Sequence, residues 1–268
     1  MTKNQADCDL WNQLRYGRVT ASNMKLICSG NVDNPAKSTI NKICYGGKKF
    51  YSKHCETGKK LEKPARKKYE CIQSKSHEDL SVKECGMHIC KEIGYLAASP
   101  HGIVNFRCCG RGGLEIKCTD VENMYAHFIN GKLKVDDAWF YQMQTQIFVC
   151  ELCYCDLFVY CPPKYAYERV LPSEACHKEI VEKSKVFFVR VILPELIAKY
   201  FSLHRVPHAP NDVNCDNETV NVCYCQTPRR DPMVTCAGER CTFKEFHCRC
   251  VDLKTAPKRD WFCDQCRQ

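Results

Sequence analysis

No stretch of the 268 residues approaches the roughly 18 to 20 consecutive apolar side chains that cross a bilayer, so no membrane-spanning helix is expected. The first residues, Met1-Thr-Lys-Asn-Gln-Ala-Asp7, also lack the apolar centre of a secretory signal, and an intracellular chain is expected. No internal repeat or low-complexity tract stands out, which argues against stacked-repeat architectures. Without export, the 24 cysteines do not read as a disulfide scaffold, a device of small secreted chains. Most are expected as reduced thiols.

What is present is ordinary for a folded protein, with 44% hydrophobic and 26% charged residues. The length allows one substantial core and a small satellite domain. The formal charge of +9, with runs such as Lys48-Lys49, Lys59-Lys60 and Arg66-Lys67-Lys68, favours an anionic partner such as nucleic acid. The competing reading is a merely solvated basic surface.

Mixed helix and strand signals run from about residue 8 to 205. Asp7 or Asp9 could cap a helix through Leu10, Trp11, Leu14 and Arg15, and Ser22 a second one opening at Thr20. Lys60 to Cys71 has Leu61, Ala65 and Tyr69 at helical spacing, with Pro64 tolerable only in a first turn. Ile103-Val104 and Leu114 to Cys118 are expected as strands joined by a tight turn at Cys109-Gly-Arg-Gly-Gly113. Trp139 to Val149 reads as a helix and Leu157 to Tyr160 as a buried strand. A long helix from about Pro172 toward Ile197 is expected to break near Pro194. Pro207, Pro210 and several Asn and Asp make His204 to Asn221 a linker. The expected organisation is therefore a domain over 1–205, a linker over 206–221 and a module over 222–268.

Eight of the cysteines fall in the last 46 residues. The string Cys223-x-Cys225, Cys236-x4-Cys241, His247-x2-Cys250, Cys263-x2-Cys266 offers four close pairs of soft ligands, as two closed tetrahedral zinc sites require. So short a module has too little apolar core to fold without metal. The zinc is structural. With Met233, Phe246-His247 and Trp261-Phe262-Cys263, the string resembles the PHD finger, in particular its inhibitor-of-growth class, rather than a RING-like arrangement. That resemblance implies cross-braced pairing: Cys223, Cys225, His247 and Cys250 on one zinc, and Cys236, Cys241, Cys263 and Cys266 on the other. Cys248 is then spare.

Fingers of this kind commonly bind a histone tail, and some read trimethyl-lysine through an aromatic cage. The positions matching the cage hold Arg230 and Glu245, so trimethyl-lysine reading is not expected. Asp231 or Glu245 could still pair with a basic segment. Nine Lys/Arg against six Asp/Glu, less three charges for two zincs with seven thiolates, leave the module near neutral. Protein docking or a purely structural role is the competing reading.

Within the first domain, Leu14-Arg15-Tyr16-Gly17-Arg18-Val19-Thr20-Ala21-Ser22 precedes Gly58 to Tyr69, then Ala98-Ser99-Pro100-His101-Gly102-Ile103, Leu114-Glu115-Ile116-Lys117-Cys118 and Tyr141-Gln142-Met143-Gln144. In this order the segments resemble the YqaJ-type viral recombinase family, relatives of phage lambda exonuclease within the PD-(D/E)xK nucleases. The resemblance implies an α/β, restriction-endonuclease-like mixed sheet flanked by helices. It also implies magnesium or manganese held by hard oxygen ligands to activate water on a phosphodiester.

Residue by residue, Glu115 matches the metal-binding acid and Lys117 the lysine that positions water or offsets phosphate charge. Glu62 matches the helical acid, Gln142 a glutamine lining the site, and Arg15 and Ser22 the grip on a terminal phosphate. Glu-x-Lys spacing on a strand aims both side chains to one face. One departure stands out: the family's Ser-Pro-Asp-Gly is here Ser99-Pro100-His101-Gly102. An imidazole adds no negative charge and is a poor magnesium ligand. Two outcomes stay open, a retired nuclease that still binds DNA and a weak enzyme using a softer metal. Cys150, Cys153, Cys155 and Cys161 read as structural thiols on a helix end and a buried strand. A finger beside a recombinase-like core suggests a nuclear setting and a viral or mobile-element origin for the core. The alternative to a DNA-associated protein is an interaction protein in which neither domain contacts DNA.

Overall fold

The computed structural model describes residues 2–46 and 53–203, then 232–238, 241, 245–251, 253, 255–257, 259–263 and 266. The chain divides into two compact units, Met1–Leu196 and Ile197–Gln268. The helices are α1 (Asp9–Arg15), α2 (Met24–Cys28), α3 (Lys37–Cys44), α4 (Lys53–Gln73), α5 (Val121–Ala126), α6 (Ala138–Cys150), α7 (Glu174–Phe187), α8 (Leu193–Ala198) and α9 (Tyr200–Leu203). The strands are β1 (Val19–Thr20), β2 (Ser81–Lys83), β3 (His88–Ile89), β4 (Leu96–Ala98), β5 (Gly102–Phe106), β6 (Gly110–Cys118), β7 (Phe128–Ile129), β8 (Lys132–Leu133), β9 (Cys155–Cys161), β10 (Lys164–Val170), β11 (Met233–Thr235) and β12 (Glu245–His247).

Five strands form the main sheet in the order β10-β9-β6-β5-β2. Only β6 and β9 run parallel within it, with Glu115 opposite Leu157 and Lys117 opposite Val159. Alternation along the strands separates two apolar layers. Leu114, Ile116 and Phe158 pack with Ala65 and Tyr69 of α4, while Leu157 and Val159 pack with Met143 and Ile147 of α6. Glu115 and Lys117 alternate with Leu114 and Ile116, and both reach side chains of α6. Burying a side chain the size of Leu157 or Phe158 contributes about 1.5–3 kcal/mol each. The site is thereby held between two filled layers.

A polar clamp joins α4 to the sheet. Asp156 is fully buried and accepts from Tyr69 Oη at 2.7 Å, from Tyr167 Oη at 3.2 Å, and from Arg169 through Nε at 2.7 Å and Nη2 at 3.0 Å. A buried carboxylate is tolerable only when its lone pairs are filled in this way.

Several local expectations shift. The first helix begins at Asp9, but the cap position is Cys8, whose side chain makes no capping hydrogen bond, and Asp7 lies in a preceding 3-10 turn. Ser22 is not a helix cap; it sits in a 3-10 turn, Ala21–Asn23, and its hydroxyl lies near Arg15 and Thr20 instead. Pro64 falls in the interior of α4, which extends well upstream of Lys60. Packing of Ala65 and Tyr69 against the sheet offsets the lost hydrogen bond there.

The hairpin turn is Arg107-Cys108-Cys109, and the glycines belong to β6. Gly110 closes this three-residue loop with φ +73°, a conformation costly for other residues. At Gly112, a Cβ would lie 2.1 Å from the Tyr154 ring. The long helix does not break near Pro194: it widens through π-helical Phe188–Ile192 and runs on into α8, which accommodates a proline that cannot donate back to Arg190. The 206–221 linker lies outside the described residues.

In the C-terminal unit β11 and β12 pair antiparallel, and Cys236 bridges to Trp261. Val234, Phe246 and Trp261 are buried with Cys236, Cys248 and Cys263, so the apolar core is built largely among cysteines.

Candidate nuclease-like centre and zinc module

Glu115 is 1% exposed, and both of its oxygens are taken by the chain itself. Oε1 accepts from Lys117 Nζ at 2.8 Å and Gln142 Nε2 at 2.7 Å. Oε2 accepts from Gln146 Nε2 at 2.7 Å and lies 3.2 Å from His101 Nδ1. Lys117 Nζ also donates to Gln142 Oε1 at 2.8 Å, closing a ring of three side chains. Asp137 accepts from the Trp139 amide at the start of α6, fixing the helix that presents the glutamines.

Charges here depend on one another. Burial alone would raise the Glu115 carboxyl, but Lys117 and His101 together hold it far below the usual carboxylate range. Burial would likewise keep His101 neutral; the Glu115 charge, reinforced by Glu62, outweighs it and raises the imidazole above its ordinary 6.5. His101 Nδ1 also lies 3.3 Å from the Ile116 amide nitrogen. The imidazolium donates to Glu115, whereas an imidazole with the proton on Nε2 accepts from Ile116. Protonation thus selects the partner.

Glu62 is 3.9 Å from Arg66 Nη2, which donates to the His101 carbonyl at 2.6 Å. Glu62, His101 and Glu115 do not bring three donor atoms within 4.8 Å of one another. One saturated carboxylate, an imidazole inclined to protonate and a carboxylate near Arg66 do not fit a hard divalent cation. His101 and Glu62 open onto a cleft of about 540 Å³ that also holds Lys3, Lys63, Arg66 and Glu84.

Arg15 and Ser22 lie together, with Nη2 to Oγ at 3.3 Å and the guanidinium 4.3 Å over the Trp11 ring. The turn carrying Ser22 packs on α6, the helix of Gln142. Two members of the centre are not singled out by the sequence pattern. Gln146 follows Gln142 by four residues, a helical spacing that places both on one face and could have revealed it. Arg66 stands among the basic runs, and nothing in its spacing distinguishes it. Its Nη1 is buried without a hydrogen-bond partner.

In the other unit, the sulfurs of Cys236, Cys241, Cys263 and Cys266 lie within 4.8 Å of one another, a donor set that fits one structural zinc. Backbone amides of Gly238 and Cys263 donate to Cys236 Sγ at 3.4 and 3.3 Å, the outer support such thiolates receive. His247 Nδ1 is 3.9 Å from Cys250 Sγ, while Cys223 and Cys225 lie outside the described residues. Cys248 is buried in the small core, and Glu245 is exposed at the start of β12; Arg230 and Asp231 are outside the described residues. Cys150 and Cys155 are buried, Cys161 is half-buried and Cys153 exposed. Among the described residues these four join no metal-ligand group.

The mixed sheet, its flanking helices and the Glu-Lys-Gln ring define an exonuclease-type fold. Solved structures bear this out: an alkaline exonuclease (LHK-Exo) from Laribacter hongkongensis superimposes with TM-score 0.55 at 24% identity, over 73% of this chain and 96% of that one. LHK-Exo in complex with dAMP gives 0.59 at the same identity, over 73% and 97%. The sequence pattern of the YqaJ-like viral recombinase domain matches residues 10–152, and the chain belongs to that family.

The C-terminal region matches chromatin proteins of the inhibitor-of-growth type. The chromatin modification-related protein YNG2 of Eremothecium gossypii is 44% identical over 46 residues, 17% of this chain and 16% of that protein. Human inhibitor of growth protein 5 is 37% identical over 57 residues, 21% and 24% respectively. The chain thus spans less than a quarter of either relative. The described residues contain no helix long and apolar enough to cross a membrane.

Proposed function

We propose that the first domain grips DNA ends without cutting them, and that the finger docks the protein to chromatin or to another nuclear protein. One observation carries the reading. Where the family has a metal-binding aspartate, His101 faces Glu115 at 3.2 Å and completes the saturation of that carboxylate. In an active relative the metal would activate water and offset charge on the phosphate. Here the positive charge beside Glu115 comes from Lys117 and the protonated imidazole, and neither oxygen of Glu115 is left free for a metal.

DNA binding is supported by the fold, the net charge of +9 and the Arg15–Ser22 pair. A terminal phosphate would be held by the Arg15 guanidinium and the Ser22 hydroxyl, both strong partners for phosphate oxygens. Arg66, Lys3 and Lys63 add positive charge at the cleft of Glu62 and His101. Chromatin docking is supported by the finger's likeness to a chromatin modification-related protein, and with it a nuclear location. Glu245 lies in a strand of the finger, where it could pair with a basic segment of a histone tail.

The test is degradation of linear duplex DNA in magnesium and in manganese, comparing the parent with His101→Asp. The parent is expected to bind linear duplex with a steep loss as salt rises, and to leave it intact. His101→Asp is expected to gain metal-dependent cleavage of at least tenfold over the parent. Cleavage by the parent that disappears in Glu115→Gln would overturn the loss of hydrolysis. Absence of any salt-dependent DNA binding would overturn the DNA-binding reading and leave a protein-docking one.

A further inference from the structure

Only two groups of three or more metal-type donors occur among the described residues, and one of them lies outside the finger, in the first unit. His77 follows the C-terminal end of α4, its amide bonded to the Gln73 carbonyl. Cys108 and Cys109 form the tip of the β5–β6 hairpin. His77 Nδ1 is 3.0 Å from Cys108 Sγ and 3.6 Å from Cys109 Sγ, and the two sulfurs are 3.3 Å apart. We propose that His77, Cys108 and Cys109 form a third metal site, independent of the finger, that takes zinc or a similarly soft divalent ion.

The geometry is that of one face of a coordination tetrahedron. Zinc–sulfur and zinc–nitrogen bonds of about 2.3 and 2.05 Å imply sulfur–sulfur edges of about 3.8 Å and nitrogen–sulfur edges of about 3.6 Å. In the hairpin trio the Cys109 nitrogen–sulfur edge matches at 3.6 Å, while the sulfur–sulfur and Cys108 edges, at 3.3 and 3.0 Å, are about half an ångström short. In the finger, the same kinds of pair stand at 3.7 Å between Cys241 and Cys263 and 3.9 Å between His247 and Cys250. A cation drawn between the three atoms would relieve the close sulfur–sulfur approach.

The ring is also held in place. His77 lies against Phe106, centroids 4.4 Å apart, and Phe106 belongs to the buried layer under α4. The Arg169 guanidinium, anchored on Asp156, lies close enough to Cys109 to offset thiolate charge. Binding would displace the two thiol protons to solvent and leave one position for water or another donor. That position is open to water, because Cys108 is exposed and His77 lines an adjoining surface cleft of about 900 Å³.

The site has a structural consequence. It ties the end of α4, the helix of Glu62 and Arg66, to the hairpin whose second strand carries Glu115 and Lys117. Metal there would staple together the two elements that meet at His101.

The experiment is zinc content of the reduced full-length chain by mass spectrometry, after equilibration in buffered micromolar zinc. The parent is expected to hold one more equivalent than Cys108→Ser/Cys109→Ser, and His77→Gln to lose the same equivalent. His77→Cys, which restores a soft ligand, should recover it. With cobalt, the parent should show thiolate charge-transfer absorption exceeding that of the double variant by one site's worth. Equal metal content in parent and double variant would overturn the proposal. So would titration of the metal-stripped, denatured parent showing two fewer thiols than its 24 cysteines, because a Cys108–Cys109 disulfide cannot ligate. A finger that holds less metal than expected does not affect the comparison, since each variant is read against the parent.

Discussion

The nuclease-like centre and the zinc module solve the problem of a polar interior in opposite ways. In the first, Glu115 is buried among donors supplied by three elements, and the layers around it are filled by Leu, Val, Phe and Met. In the second, the buried residues are themselves largely cysteines, and only Val234, Phe246 and Trp261 add bulk. The first can fold on apolar burial and then accommodate charge. The second has no such reserve, so its fold is expected to depend on a cation that its thiolates could hold. The contrast teaches that losing a metal has unequal consequences in the two places. A centre supported by packed layers is expected to keep its fold with histidine at the proposed ligand position, whereas the finger is expected to need its metal.

The sharpest way to break that comparison is to remove metal. Excess chelator is expected to unfold residues 222–268, and to lower the first unit's urea transition only by what the His77, Cys108 and Cys109 staple contributes, leaving that unit folded. Structural zinc in such modules is worth about 10–16 kcal/mol of apparent binding energy. Limited proteolysis with mass mapping reads the outcome; simultaneous loss of both units would show that the first also depends on metal for its core.

Next in size is the buried clamp. Asp156→Ala leaves Arg169 and Tyr69 without their partner and should cost about 3–5 kcal/mol. Urea denaturation of the first unit measures it. A loss below about 1 kcal/mol would mean that the carboxylate is far better solvated than its burial indicates.

The smallest effect sharpens the charge assignment at the centre. A raised His101 pKa contributes stability that is complete below the ordinary 6.5 and fades as pH climbs through the raised value. The depressed Glu115 contributes above the ordinary 4.5 and fades as pH falls through its lowered value. The pair is therefore strongest between about pH 4.5 and 6.5. His101→Gln should destabilise the chain most near pH 6 and progressively less toward pH 9, by roughly 1 kcal/mol of difference between them. Urea midpoints of parent and variant at the two pH values give the answer, and a pH-independent gap would contradict an imidazolium there.

Much of this architecture is present in residue order alone. Alternation through Leu114-Glu115-Ile116-Lys117 already separates a core face from a chemical face, because successive strand residues point opposite ways. Close pairs of cysteine and histidine announce the zinc module, since tetrahedral ligation restricts spacing. The family resemblance likewise marks His101, in Ser99-Pro100-His101-Gly102, as standing where it implies an acid.

What order alone could not decide was who fills the oxygens of Glu115. Gln146 and His101 reach them from a helix and a loop distant along the chain, and only the packing of α6 on the sheet brings them there. The Asp156 clamp and the meeting of His77 with Cys108 and Cys109 belong to the same class. A side chain's periodicity is local, but its hydrogen-bond partners and its effective charge are set by groups that tertiary packing carries across the fold.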